Sequence, residues 1–192
     1  MIDTGFVIAN GSSRIGYDFR QNFLDGIFYG CNAIHRSMSC QYITITKQTH
    51  LAEAISWDID TKSKIFTTEL LAGQLRNPNL NIIPKPQFIT HGQINSGTGA
   101  ALIAAHNHSN LFLFGFDFFL SNSVYFDTEN YLQPVKDKVV NRMPKHTQEI
   151  ANLVEYFDEC NFTFVNDEHE LPEVIAINKN AKSISYKQLN FA

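Results

Sequence analysis

Residues 6–16, FVIANGSSRIG, are the most informative stretch of this chain because they join an apolar, β-type run to a small polar turn. The run from Phe6 to Ala9 is apolar, and it leads directly into the turn NGSS. In α/β proteins, nucleotides commonly bind at a strand that ends in a glycine-containing loop. The segment therefore predicts a strand of a parallel sheet and one wall of a nucleotide site.

Length and composition limit the class of protein. The chain has 192 residues, of which 44% are hydrophobic and 16 are phenylalanine, enough for a sheet covered on both faces. The net charge of −4 offers no basic face for duplex DNA or RNA, so we expect no nucleic-acid partner. We expect a single α/β domain over residues 1–192, with a lid-like insertion at 118–145.

The cysteines and the hydropathy pattern indicate a compartment. Cys31, Cys40 and Cys160 lie far apart and form no Cys-x-x-Cys pair, which favours a reducing environment over a disulfide framework. Residues 1–10 lack the features of a signal peptide, and no apolar run approaches the roughly 20 residues of a membrane span. We expect a cytoplasmic protein with no transmembrane segment. The oligomeric state stays open, a homo-oligomer included.

Strands alternate with helices, which predicts a doubly wound, mostly parallel, Rossmann-like sheet. Strands are predicted at 6–9, 27–29, 42–46, 64–67, 111–114 and 162–165, the last as the final strand of the sheet. Helices are predicted at 51–57, 100–105 and 146–160, the second capped by Ser96 or Thr98. Residues 80–83 form a short apolar segment between breaks, and 184–191 suggest an amphipathic partner helix.

Two polar turns are candidates for one nucleotide site. Asn10, Gly11 and Ser12 follow the first strand, where glycine allows close backbone approach and an amide can donate to a phosphate or ribose oxygen. Asn32 ends the second strand at the same edge of the sheet. An ordinary turn explains either group equally well. The first turn is neither a Walker loop nor a Gly-x-Gly-x-x-Gly fingerprint.

A third loop, Asn95-Ser96-Gly97, opens the alanine-rich helix. Unpaired N–H groups at a helix start favour a phosphate or carboxylate, and simple capping by Ser96 is compatible with that role. The strand after this helix ends in Gly115-Phe116-Asp117, a further glycine turn. The loops together predict a nucleotide-binding edge.

Two residues are candidates for catalysis. His146 lies between the predicted lid and the next helix, and an imidazole can accept a proton near neutral pH. Tyr125 could donate a hydrogen bond to a departing phosphate. A surface histidine and a packing tyrosine are the alternatives.

Histidines also raise the question of a metal. His91, His106 and His108, together with Asp117, would be the ligands of a metal-dependent hydrolase or nuclease. His106 and His108 would point about 200° apart on a helix, which is poor geometry for one metal. We therefore expect no metal site.

These segments, taken together, resemble the bacterial sialyltransferases of glycosyltransferase family 42. In that family a strand runs into Asn-Gly-Pro-Ser, a second ends in Cys-Asn, a Thr-Ser-Gly turn opens an alanine-rich helix, and the next strand ends in Gly-x-Asp-Phe. The matching segments are Val7 to Ser13, Cys31-Asn32, Asn95-Ser96-Gly97 and Gly115-Phe116-Asp117-Phe118, followed by Tyr125 and His146. The matching segments lie toward both ends of residues 5–165. The middle of that range, about residues 50–88, is shorter than in the family and has no matching segment.

The resemblance implies a CMP-linked sugar donor, an acceptor hydroxyl, and neither metal nor other cofactor. By position, Asn10 and Asn32 would contact the ribose and phosphate of the nucleotide. Ser96 and Gly97 would hold the phosphate or the donor carboxylate, and Gly115-Phe116-Asp117 would border the base.

The resemblance also implies a metal-independent sialyltransferase-like reaction. Tyr125 would stabilise the leaving phosphate, and His146 would take the proton of the attacking acceptor hydroxyl, with inversion at the sugar. Three positions depart from the family: Phe119 replaces a tyrosine, Gln93 an arginine, and Ser12 the turn proline. The alternative is a catalytically inactive nucleotide-binding or structural protein on the same fold.

Overall fold

The computed structural model describes residues 3–14, 16–23, 25–89, 94–117, 143–167 and 170–189. The strands are β1 Thr4–Ile8, β2 Ile27–Cys31, β3 Tyr42–Ile45, β4 Lys64–Thr67, β5 Leu80–Ile82, β6 Asn110–Phe114, β7 Asn161–Val165 and β8 Ala181–Ile184. The helices are α1 Phe19–Asn22, α2 Gln48–Ser56, α3 Glu69–Leu75, α4 Ser96–Ala105, α5 Met143–Tyr156 and α6 Glu173–Ala176. The eight strands of these described ranges form one parallel sheet in the order β5-β4-β3-β2-β1-β6-β7-β8, which confirms the predicted doubly wound α/β fold.

Helices cover both faces of the sheet. Successive side chains of a strand point to opposite faces, so Val7 packs with α4, α5 and α6 while Phe6 and Ile8 pack with α1, α2 and α3. Helix α4 is buried along its whole length, because its small residues let it lie close to the strands. A Cβ atom on Gly99 would lie 2.7 Å from Cγ2 of Thr44.

The winding of the chain reverses beside β1, which has β2 on one side and β6 on the other. Ligands of open α/β sheets bind outside the carboxyl ends of the strands at such a point. The loops after β1 and β6 touch there: Gly11 N donates to Gly115 O at 2.9 Å. Gly115 has φ +69°, and a Cβ atom on it would lie 2.7 Å from Ala9 O, so glycine is required.

Two predicted elements at the C-terminal end are wrong. The strand over 162–165 is not the last of the sheet, because β8 pairs in parallel with β7 beyond it. The expected helix over 184–191 is absent from the described residues of that segment, since residue 184 ends β8 and Tyr186–Gln188 form one 3-10 turn. The sequence of β8, AKSI, is short and half polar, so its strand signal is weak.

The predicted lid falls mostly outside the described residues. Residues 118–142 are not among them, and residues 143–145 belong to the first turn of α5. Within the described ranges, no helix has both the length and the apolar character needed to cross a bilayer.

Candidate functional site at the carboxyl edge of the sheet

Asn10, directly after β1, carries an unpaired buried acceptor. Its side chain is only 4% exposed, and its Nδ2 donates to Cys31 O at 3.3 Å. Its Oδ1 accepts no hydrogen bond from any described residue. Leaving a buried acceptor unsatisfied costs about 1–3 kcal/mol. A ligand with a hydroxyl or amino donor would recover that free energy.

Asn32, Ser96 and Thr46 join the ends of β2 and β3 to the start of α4. The hydroxyl of Ser96 donates to Asn32 Oδ1 at 2.6 Å and accepts from Thr46 N at 3.1 Å. It also lies 2.7 Å from Thr46 Oγ1. Asn32 has φ +48°, a left-handed conformation that asparagine tolerates better than most residues. The Ser96 hydroxyl therefore already has protein partners. The group of Ser96 that could bind an anion is its backbone N–H.

Asn95, rather than the predicted Ser96 or Thr98, caps α4. Its Oδ1 accepts from Thr98 N at 2.9 Å. Its Nδ2 donates to Thr98 Oγ1 at 2.6 Å and to Glu149 Oε2 at 2.5 Å. These bonds occupy both donors of the amide, so Asn95 holds the loop in place and its predicted contact with a nucleotide would need one of them to open.

Gly97 places the start of α4 over the end of β1. A Cβ atom on Gly97 would lie 3.9 Å from Ala9 Cβ and 3.7 Å from Cε1 of Phe116. Phe116 is buried and packs edge-to-face on Phe164, with ring centroids 6.2 Å apart. The N–H groups of Ser96 and Gly97 precede the first hydrogen bonds within α4, so they are directed out of the helix end, where an anion is favoured.

Asp117 is buried and holds the turn after β1. Its Oδ2 accepts from Ser13 N at 2.7 Å and its Oδ1 accepts from Ser13 Oγ at 2.5 Å. Ser12 begins the 3-10 turn that contains Ser13. Gly11 of the first predicted turn is thus brought together with Gly115 and Asp117 of the turn after β6, and these protein contacts join the two loops.

Two cations that the sequence reasoning missed act on Cys31, whose carbonyl accepts from Asn10. Burial raises the pKa of Cys31 to about 12, and the positive charges of Arg14 and Lys47 act on the same thiol in the opposite direction. Arg14 is only 7% exposed, whereas Lys47 is exposed at the start of α2. Each of the two residues directly follows a turn at the end of a strand, and this position is the sequence signal that could have identified them. Positive charge at this edge attracts anions.

His146 contacts Glu149, a carboxylate that the sequence analysis did not single out. His146 Nδ1 lies 3.6 Å from Glu149 Oε2 on the next turn of α5. Burial raises the pKa of Glu149, but the contacts of His146 and Asn95 and the charge of Lys145 outweigh it, so the net shift is downward. Glu149 is therefore a carboxylate at neutral pH. Its spacing of three residues from a histidine on a helix is the signal that could have identified it.

The structure does not bring the suggested metal ligands together. His108 precedes β6, and its Nε2 lies 2.9 Å from the hydroxyl of Tyr29, whereas Asp117 follows β6. A strand of this length separates the two by roughly 15 Å. His91 lies outside the described residues, within which no three His, Cys, Asp or Glu side chains form a metal-binding group.

Tyr125, Gln93 and Phe119 also lie outside the described residues, so their predicted roles stay predictions. We use the name carboxyl-edge site for Asn10, Arg14, Asn32, Lys47, Ser96 and Gly97, together with the His146–Glu149 pair. Comparison of the chain with protein-family models, with curated proteins and with solved structures gives no match. The function is therefore inferred from the geometry of this site.

Proposed function

We propose that the chain binds a CMP-linked sugar at the carboxyl-edge site and transfers the sugar to an acceptor hydroxyl. The observation that carries the proposal is the buried, unpaired Oδ1 of Asn10, the residue after Ala9, whose Cβ would lie 3.9 Å from a Cβ atom on Gly97 of α4. It supports a ligand that combines a hydrogen-bond donor with an anionic group. A nucleoside monophosphate has both, because its ribose hydroxyls donate and its phosphate is an anion.

The surrounding charges support a phosphate at the same place. The backbone N–H groups of Ser96 and Gly97 and the positive end of α4 favour an anion. Arg14 and Lys47 add positive charge on the side of Cys31. In this proposal they supply the positive charge that the resembled family obtains from an arginine, which is Gln93 in this chain.

In the proposed reaction His146 is the base. The acceptor oxygen attacks the anomeric carbon of the donor as its proton passes to the imidazole. The bond from that carbon to the phosphate oxygen breaks, and CMP leaves with the bonding electron pair. Tyr125 would hydrogen-bond the departing phosphate.

A second candidate is a nucleotide-binding protein without catalysis. It is favoured by Phe119, which lacks the phenol hydroxyl that the resembled family uses on the phosphate. Loss of one such donor costs about 2–4 kcal/mol of transition-state stabilisation. Release of free sialic acid from CMP-sialic acid, or its transfer, separates the two candidates.

Calorimetry with CMP tests the proposal. We expect CMP to bind and the Asn10→Ala variant to bind it at least tenfold more weakly, because the donor of the ligand loses its buried acceptor. Asn81→Ala is the matched control, since Asn81 lies on β5 at the far edge of the sheet. Absence of CMP binding at millimolar concentration, or equal affinities of all three proteins, would contradict it.

A further inference from the structure

Glu149 is a buried carboxylate for which the proposed reaction, as stated above, has no use. It is 7% exposed, and its Oε2 accepts from Asn95 Nδ2 at 2.5 Å. Its Oε1 is also buried and accepts no hydrogen bond from the described chain; Lys145 Nζ lies 3.8 Å from that atom. Burying a carboxylate is costly unless charged and polar partners compensate it. On an exposed face of the helix, water would solvate this carboxylate.

The partners of Glu149 relate it to His146. Glu149 Oε2 lies 3.6 Å from His146 Nδ1, and Asn95 fixes the same oxygen from the capping loop of α4. The carboxylate is thus held from two helices. Hydrogen bonds between catalytic groups are often long without ligand and shorten when it binds.

We propose that Glu149 is a positioning residue that holds the proton of His146 on Nδ1, so that Nε2 presents its lone pair to the acceptor hydroxyl. The proposal rests on the function proposed above and assigns Glu149 a role in its proton-transfer step. When Nε2 takes the acceptor proton, the resulting imidazolium is stabilised by the Glu149 carboxylate at Nδ1. The proton leaves to water after CMP and product depart. A carboxylate that orients a histidine base in this way is a general device of acid–base catalysis.

Asn95 extends the arrangement to the ligand. The same side chain caps α4, whose first N–H groups face the proposed phosphate, and donates to Glu149. Phosphate binding at α4 and the orientation of His146 are thus connected through one amide.

The first test measures the tautomer of His146 by nitrogen-15 NMR, with His146→Gln used to assign the signal. We expect the proton on Nδ1 in the parent protein and a shift toward the Nε2–H form in Glu149→Ala. Glu155→Gln, an exposed glutamate on the same helix, is the control and should leave the tautomer unchanged. This readout needs no enzyme activity. A His146 tautomer that is the same in the parent protein and in Glu149→Ala would overturn the proposal.

The second test measures turnover of CMP-sialic acid. Glu149→Gln keeps the shape and the acceptor oxygen for Asn95, so we expect CMP affinity within twofold and kcat reduced by roughly 10- to 100-fold. Glu149→Asp, which restores the charge, should recover part of kcat and provides a second variant if Glu149→Gln does not fold. An unchanged kcat in Glu149→Gln would overturn the proposal. If CMP does not bind the parent protein, the proposed function fails, whereas the tautomer still decides the role of Glu149.

Discussion

Asp117 and Ser13 bind each other through both oxygens of the carboxylate, and this contact joins the loop after β6 to the turn after β1. Ser13 donates from its backbone N at 2.7 Å and from its hydroxyl at 2.5 Å. Asp117 is 3% exposed, so few water molecules compete for the contact. The turn NGSS is therefore shaped by a residue far along the chain.

The first prediction concerns the strength of this contact. Asp117→Ala should lower the free energy of unfolding by about 2–4 kcal/mol, because two charge-assisted hydrogen bonds are lost and Ser13 N is left unpaired. Ser13→Ala removes only the hydroxyl and should cost about 1 kcal/mol. Urea denaturation measures both. Equal destabilisation by the two variants would show that the backbone bond contributes nothing.

The second prediction compares two glycines. Gly115 has φ +69° and its missing Cβ would lie 2.7 Å from Ala9 O, so Gly115→Ala should destabilise the fold by about 2–3 kcal/mol. Gly73 lies exposed on α3 with open space at its Cβ position, so Gly73→Ala should stabilise by about 1 kcal/mol. Thermal unfolding of both variants checks the sign of each change in stability. A stable Gly115→Ala protein would contradict the close approach of the two loops.

The third prediction is a pH dependence. Burial, with the charges of Lys47 and Arg36, lowers the pKa of His50 from its ordinary 6.5 to about 4, although Glu53 acts in the opposite direction and His35 adds to the lowering. The unfolded chain therefore takes up this proton below about pH 6.5, whereas the folded chain does so only near pH 4. Stability from neutral His50 is complete above the unfolded pKa and falls as the pH decreases. Between pH 7 and 5 the loss should be about 2 kcal/mol.

Denaturation at pH 7 and pH 5 checks this. His50→Gln should remove about 2 kcal/mol of the difference, since glutamine does not titrate, and His35, whose pKa is also lowered by burial, contributes part of what remains. The range stops at pH 5 because Glu53 and Glu149, with pKa values below the ordinary range, begin to lose their charge only at lower pH. The same slope in the parent protein and in His50→Gln would assign the effect to other groups.

The fourth prediction concerns the charge at the carboxyl-edge site. Lys47 is exposed, so Lys47→Gln should fold normally, weaken CMP binding by about 3- to 10-fold and leave cytidine binding unchanged, because cytidine lacks the phosphate. Lys62→Gln, exposed at the end of the 3-10 turn Ile59–Thr61, is the control. Calorimetry at low and at high salt measures the difference. An equal loss for CMP and cytidine would place Lys47 at another part of the ligand.

The local sequence pattern was sufficient to predict most strands of the sheet. Apolar runs bounded by glycine or asparagine predicted β1, part of β2, β6 and most of β7, because buried parallel strands are apolar on both faces. The outermost strands, β5 and β8, gave weaker signals. Leu80–Ile82 is three residues long and Ala181–Ile184 is half polar, and both lie at sheet edges where one side has no strand partner within the described part of the chain. Their strand conformation depends on pairing with β4 and β7, which the local sequence does not reveal.

The sequence predicted where the candidate site lies, but it did not predict the contacts within it. Asn10 and Asn32 lie at the carboxyl edge beside the start of α4, as the strand–turn pattern indicates. That Ser96 binds Asn32 and Thr46, and that Asp117 binds Ser13, depends on residues 50 to 104 positions apart. Arg14, Lys47 and Glu149 were not predicted, although the first two follow strand-end turns and the third lies three residues after His146, because position and spacing alone do not show that a charged side chain is buried or close to the site.

A crystal structure with CMP would show where the nucleotide binds. We predict density for the nucleotide at the carboxyl-edge site, with its phosphate within 3.2 Å of the N–H groups of Ser96 or Gly97, the usual limit of such a bond. A hydroxyl or amino group of the ligand should donate to Asn10 Oδ1. CMP bound elsewhere, or a crystal soaked at millimolar CMP with Asn10 Oδ1 still unpaired and the start of α4 without an anion, would contradict the account.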